Sequence, residues 1–96
     1  MANKVLASHI LVKTETEALA AMNDLRNNRK TFEQLAKEKS ICPSGKKGGS
    51  LGWFGRGMMV KEFETACFSN SAKKGQLIGP IKTQFGYHII RIDDLS

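Results

Sequence analysis

Few side chains in this sequence are equipped for chemistry, and they lie far apart along it. His9 stands in VLASHILVK near the start and His88 in GYHIIRI near the end. Cys42 opens a long glycine-rich stretch, and Thr83 precedes the turn that leads to His88. Both histidines fall inside apolar, β-branched runs that alternate as strands do. Val5, Ala7, His9 and Leu11 share one face of the first run, and His88, Ile90 and Ile92 share one face of the last. Terminal strands of small α+β folds commonly become sheet neighbours. The two imidazoles would then sit side by side in the centre of the sheet, each fixing the other's tautomer. With Cys42 and Thr83 they would make a compact buried polar network. A purely structural core network fits the same residues equally well.

The second feature is the stretch Ser40 to Phe63, SICPSGKKGGSLGWFGRGMMVKEF. It holds Cys42, Trp53, adjacent Met58 and Met59, and six glycines: Gly45, Gly48, Gly49, Gly52, Gly55 and Gly57. It is too glycine-rich for a long helix and too apolar for a solvated linker. Long irregular loops in small domains are uncommon and often functional, although a packed loop without a ligand is an equal reading of this stretch alone. Leu51, Met58, Met59, Phe63 and Phe85 can supply an adaptable apolar pocket, or core. Cys42 and Cys67 form no CxxC, and no spacing with the histidines reads as a zinc site, so neither metal nor cofactor is expected.

The elements that must position these groups are legible in the pattern. Val5–Lys13 is apolar on both faces, as a central strand would be. Thr14-x-x-Glu17 and Thr31-x-x-Gln34 are capping boxes opening two helices, one carrying Ala18, Met22 and Leu25 with Leu19 and Ala21 alongside, the other carrying Phe32, Leu35 and Ala36 to about Lys39. Leu51–Phe54 reads as a short strand within the loop. Val60, Phe63 and Cys67 predict a third helix over Lys61–Phe68. Ser69–Gln76 reads as a polar turn with Gly75 left-handed. Ile78–Lys82 is extended, Thr83–Gly86 a tight turn, and Tyr87–Ile92 the last strand. Helices grouped between terminal strands predict an α+β domain with a small, mostly antiparallel sheet.

At 96 residues the chain is expected to be one domain, residues 1–96, with a modest core. Hydrophobic and charged contents of 41% and 25% are those of a soluble globular protein. No apolar run is long enough to span a membrane, and the N-terminus is a poor signal peptide, so a complete cytoplasmic protein is the expectation. The net charge of +6 is scattered over the sequence. A solvated basic surface explains it; nucleic-acid binding through Arg26–Lys30 and Lys46–Lys47 is the alternative.

Three blocks, HILVK, SICPSGKKGGSLGWFGRGMM and GPIKTQFGYHIIRI, together resemble the parvulin family of peptidyl-prolyl cis/trans isomerases, in the family's order and over essentially the whole chain. The resemblance implies a four-stranded antiparallel sheet surrounded by about four helices. It implies catalytic roles for His9, Cys42, Thr83 and His88. Leu51, Met59 and Phe63 correspond to the pocket for the substrate proline ring, and Phe85 to a further wall. It implies flexible, proline-containing polypeptides as partners and a monomer. Phospho-directed relatives carry a basic loop after the first strand. Here Lys13 is followed by Thr14-Glu15-Thr16-Glu17, which resembles the branch without phosphate specificity. Val60 departs from a glutamine found in some relatives, which would weaken a polar contact to the substrate backbone. Arg56, Lys46 and Lys47 are expected beside the pocket. A binding module without turnover and a Cys–His hydrolase are the competing classes; the hydrolase would need an oxyanion hole that no residue here singles out.

Overall fold

Alternation and capping settle most of the architecture. The structure is a computed structural model that describes residues 4–68 and 73–95. Strand β1 (Val5–Val12) is followed by helices α1 (Glu15–Arg26) and α2 (Phe32–Lys39), a 3₁₀ turn (Pro43–Lys47), strand β2 (Ser50–Phe54), helix α3 (Lys61–Cys67), and strands β3 (Leu77–Thr83) and β4 (Gly86–Leu95). The strands form one antiparallel sheet in the order β2-β1-β4-β3, so the two histidine-bearing strands are the central pair.

Local chemistry explains the helix starts. The Thr14 hydroxyl accepts the Glu17 N–H at 3.2 Å, and Thr31 and Gln34 form a reciprocal capping box. Helices α1 and α2 pack against Ile10, Val12 and Ile89 on one face of the sheet, through Ala18, Ala21, Met22, Phe32, Leu35 and Ala36. Leu19 lies off this stripe and is half exposed. Helix α3 covers the other face, where Phe63 and Cys67 meet Val5, Ala7, Phe54, Ile90 and Ile92. The sheet is thus buried on both sides, as the doubly apolar β1 predicts.

Strand β4 runs past the expected Ile92 to Leu95. Ala7 pairs with Ile92 but Leu6 with Asp94, leaving Asp93 as a bulge. Its carboxylate accepts the Ser8 hydroxyl and the Arg91 Nε–H, each at 2.6 Å. These polar partners let Asp93 sit within a strand that apolar alternation alone would end. Beyond the bulge Val5 pairs with Leu95, which brings the two ends of the fold side by side in the middle of the sheet. Within the polar turn expected at Ser69–Gln76, Gly75 is left-handed at φ 83°, and Ser69 to Ala72 lie outside the described residues. Among the described residues, no helix is long and apolar enough to cross a membrane.

Candidate active site

The register of β1 and β4 decides where the histidines meet. His9 pairs with Ile90 and Leu11 with His88, so both imidazoles project from the same face of the sheet, diagonally adjacent. Their rings stack at 5.1 Å between centroids with 20° between planes, and the two Nδ1 atoms are 3.0 Å apart. Phe63, from α3, sets its ring edgewise to both, at 5.7 and 5.6 Å. Both histidines are almost wholly buried. Burial, and then the neighbouring His88, lower His9 from the ordinary 6.5 to about 4. Burial also lowers His88, opposed by the charge of Glu62. Both rings are therefore neutral at pH 7.

The tight turn between β3 and β4 supplies the next link. Thr83 Oγ1 lies 2.8 Å from His88 Nε2 and accepts the backbone N–H of Phe85 at 3.1 Å. The long loop supplies the other end. It is fastened to β1 where Ile41 N–H donates to the Leu11 carbonyl at 2.8 Å and Leu11 N–H donates to Ser40 Oγ at 3.1 Å. Cys42 then caps the 3₁₀ turn that Pro43 opens, with its fixed φ suited to a first helical position. His9 N–H donates to the Gly49 carbonyl at 2.9 Å. Gly49 has φ 89°, and a Cβ there would stand 2.5 Å from the His9 carbonyl oxygen. Only glycine lets the loop lie this close against β1.

The network does not join Cys42 to His9 directly. Ser44 stands between them: its Oγ is 3.1 Å from His9 Nε2, and its hydroxyl donates to Cys42 Sγ at 3.3 Å. Ser44 is the polar residue that sequence reasoning missed. No periodicity marks it, because Pro43–Lys47 is a 3₁₀ turn and Ser44 meets His9 and Cys42 only once that turn closes. Cys67, by contrast, is buried in the α3 core, and burial pushes its thiol up to about 12.

Above this chain lies an apolar groove of about 470 Å³. Cys42, His9 and His88 contribute its polar floor; Leu51, Met59, Phe63 and Phe85 line it as expected. Leu11, Ile41, Pro43 and Val60 line it as well, and none of these was singled out for the pocket. Thr83 is buried behind His88 instead of facing the groove. Met58 is turned away and accepts the Gly55 N–H on its sulfur. Among the described residues, no Lys, Arg, Asp or Glu lines the groove. Arg56, expected beside it, instead stacks 4.8 Å over the Phe68 ring and pairs with Glu64. Lys46 and Lys47 are likewise outside the lining.

A family model described as a rotamase, PPIC-type PPIase domain, matches residues 9–94, from the first histidine to the last strand. The chain belongs to the PPIC-type PPIase family, the parvulins. Similar parvulin-family proteins include foldase protein PrsA of Geobacillus kaustophilus, 49% identical over 92 residues, which are 95% of this chain and 32% of that protein. The putative peptidyl-prolyl cis-trans isomerase Cbf2 of Campylobacter jejuni is 47% identical over 94 residues, covering 91% of this chain and 34% of its own. Among solved structures, PrsA from Bacillus subtilis superposes with a TM-score of 0.89 at 43% identity, covering 96% of this chain and 35% of that one. The parvulin NmPin of Nitrosopumilus maritimus superposes with a TM-score of 0.83 at 49% identity, covering 96% of this chain and 97% of its own. The chain spans about a third of the length of the curated relatives it matches. The parvulin sheet is four-stranded and antiparallel as expected. Among the described residues its surround is three α-helices and one 3₁₀ turn, near the four helices expected.

Proposed function

We propose that this parvulin domain, residues 1–96, catalyses rotation about X–Pro peptide bonds in flexible polypeptide segments and so assists folding. The observation that carries this reading is an uncharged apolar groove whose floor is a chain of neutral, hydrogen-bonded polar groups. Rotation meets a barrier of about 18–20 kcal/mol because amide resonance must be broken, and uncatalysed exchange takes tens to hundreds of seconds. A turnover of roughly 10³ s⁻¹ requires removal of about 6–7 kcal/mol. No bond is made or cleaved, so neither acid nor base is essential. The charge-separated resonance form of the amide prefers water. Transfer into an apolar groove disfavours that form and weakens the double-bond character of C–N. Leu51, Met59 and Phe63 hold the proline ring while the carbonyl turns. Phe85, half exposed at the mouth, is a further wall.

His9, Thr83 and His88 orient the floor, and Cys42 acts on the electrostatics around the rotating carbonyl without forming a covalent bond. A nucleophilic thiolate needs an adjacent base, whereas the hydrogen-bond partner of Cys42 Sγ is the Ser44 hydroxyl. The uncharged lining and the acidic Thr14-Glu15-Thr16-Glu17 segment after β1 support substrates without phosphate. The domain acts as a monomer. Two free cysteines are consistent with the cytoplasm, which subcellular fractionation tests. Isomerase turnover on peptides varied only before proline, including phosphoserine, tests the reaction. Rates above background on unphosphorylated peptides, with no gain from phosphate, are expected; binding without turnover would reduce the domain to a holding module.

A further inference from the structure

The polar chain beneath the groove has a direction, and one end of it sets that direction. The Phe85 backbone N–H is a fixed donor, and it occupies a lone pair of Thr83 Oγ1. Thr83 is buried, so its own hydroxyl proton needs an acceptor, and His88 Nε2 at 2.8 Å is that acceptor. A bare Nε2 on a neutral ring places the His88 proton on Nδ1, from which it donates to His9 Nδ1 at 3.0 Å. His9 then carries its proton on Nε2 and donates to Ser44 Oγ at 3.1 Å. Ser44 passes its single hydroxyl proton to Cys42 Sγ. Each donor finds one acceptor. The reverse arrangement would have Thr83 Oγ1 accept twice while its buried proton found no acceptor among the described hydrogen bonds, which is costly for a buried donor. The lowered pKa of both imidazoles agrees with one proton on each.

The geometry points to Ser44 as the positioning residue that carries this one-way polarity onto Cys42. It fills a lone pair of the sulfur from below and leaves the cysteine's own S–H proton free to turn into the groove. The consequence for turnover rests on the isomerase reading above; the proton assignments do not. Without Ser44, the thiol has no fixed orientation and the His9 Nε2–H has no acceptor, although the tautomers of the pair are still held from the Phe85 end.

Long-range proton–nitrogen NMR on the histidine rings at pH 7, together with isomerase kinetics, tests the assignment. The wild-type protein should show His9 protonated on Nε2 and His88 on Nδ1; the opposite pair of tautomers, or an imidazolium, overturns the proposal. Ser44→Ala should keep both tautomers and lose the slowly exchanging His9 Nε2–H signal. Its kcat should fall roughly tenfold, the worth of one such hydrogen bond, with KM unchanged. Ser44→Thr should restore both signal and kcat. Unaltered kcat and signal in Ser44→Ala, or no rescue by threonine, overturn it. Should alanine unfold the turn, Ser44→Cys keeps the volume with a weaker donor and must show the same two changes to a smaller degree. An inactive wild-type protein would remove the isomerase reading, and the tautomers and the Nε2–H signal would still decide the role of Ser44.

Discussion

Cys42 separates two kinds of catalysis by a single substitution. If the sulfur acts through its field and its hydrogen bond to Ser44, a carboxylate can occupy its place and accept the same hydroxyl. Cys42→Asp should therefore keep much of the turnover, and Cys42→Ser, with a smaller and less polarisable atom, should reduce it. Detection of a thiol adduct at the prolyl carbonyl by mass spectrometry, or complete inactivity of Cys42→Asp, would restore the covalent alternative. His9 makes a second residue-scale prediction. The unfolded chain takes up a proton on His9 near pH 6.5, the folded one only near pH 4. Protons therefore favour unfolding between those values. The neutral ring's contribution is intact above pH 6.5 and is lost as pH falls to 4, by about 3 kcal/mol at 1.36 kcal/mol per pH unit. His88 acts in the same direction. Urea midpoints measured from about pH 7 down to about pH 4.5 should fall, and His9→Asn should flatten that slope. An equal slope in the variant would show that other groups set the acid sensitivity.

The loop between α2 and α3 is where element and site depend on each other. Gly49 presses against His9, and its replacement has nowhere to go: the backbone is left-handed and the new Cβ would overlap a carbonyl oxygen. Gly49→Ala should cost about 2–4 kcal/mol and lower turnover, through loss of the loop's seat on β1. Full stability in thermal melts would contradict this. The same loop marks the limit of what the sequence discloses. Strands β1 and β4 were readable because they are β-branched, apolar runs without Pro or internal Gly, and α1 and α2 because threonine caps announce them. The adjacency of the two strands was expected because terminal strands of small α+β folds commonly become neighbours, but the stacked histidine pair depends on their register as well. The 3₁₀ turn was not readable, because Pro-Ser-Gly-Lys-Lys carries no periodicity and three glycines stand nearby. Ser44 was missed with it, since its role exists only once the turn closes. Asp93 hid the last residues of β4 for a related reason: one of its partners, Ser8, is 85 residues away in sequence and meets it only in the folded sheet.

At the scale of the whole molecule, charge and groove are separate. The sequence carries +6, yet among the described residues no charged side chain lines the groove. Turnover of an uncharged peptide should thus be nearly constant between about 0.05 and 0.5 M salt, a range over which the screening length shrinks well below 10 Å. A steep fall would place the basic surface in substrate capture. The pairing of Val5 with Leu95 has a different consequence. A domain that enters and leaves through neighbouring strands is a cassette. It can be spliced between two adjacent residues of a host loop without prising the host apart, because its two ends are only about 5 Å from each other. The PrsA proteins it resembles are longer chains, and the region matching this one is about a third of their length. Grafted into an exposed loop of an unrelated carrier, this unit should keep its histidine tautomers and its turnover, and the carrier its own melting temperature. Loss of either would mean that the paired ends need a freedom that insertion takes away.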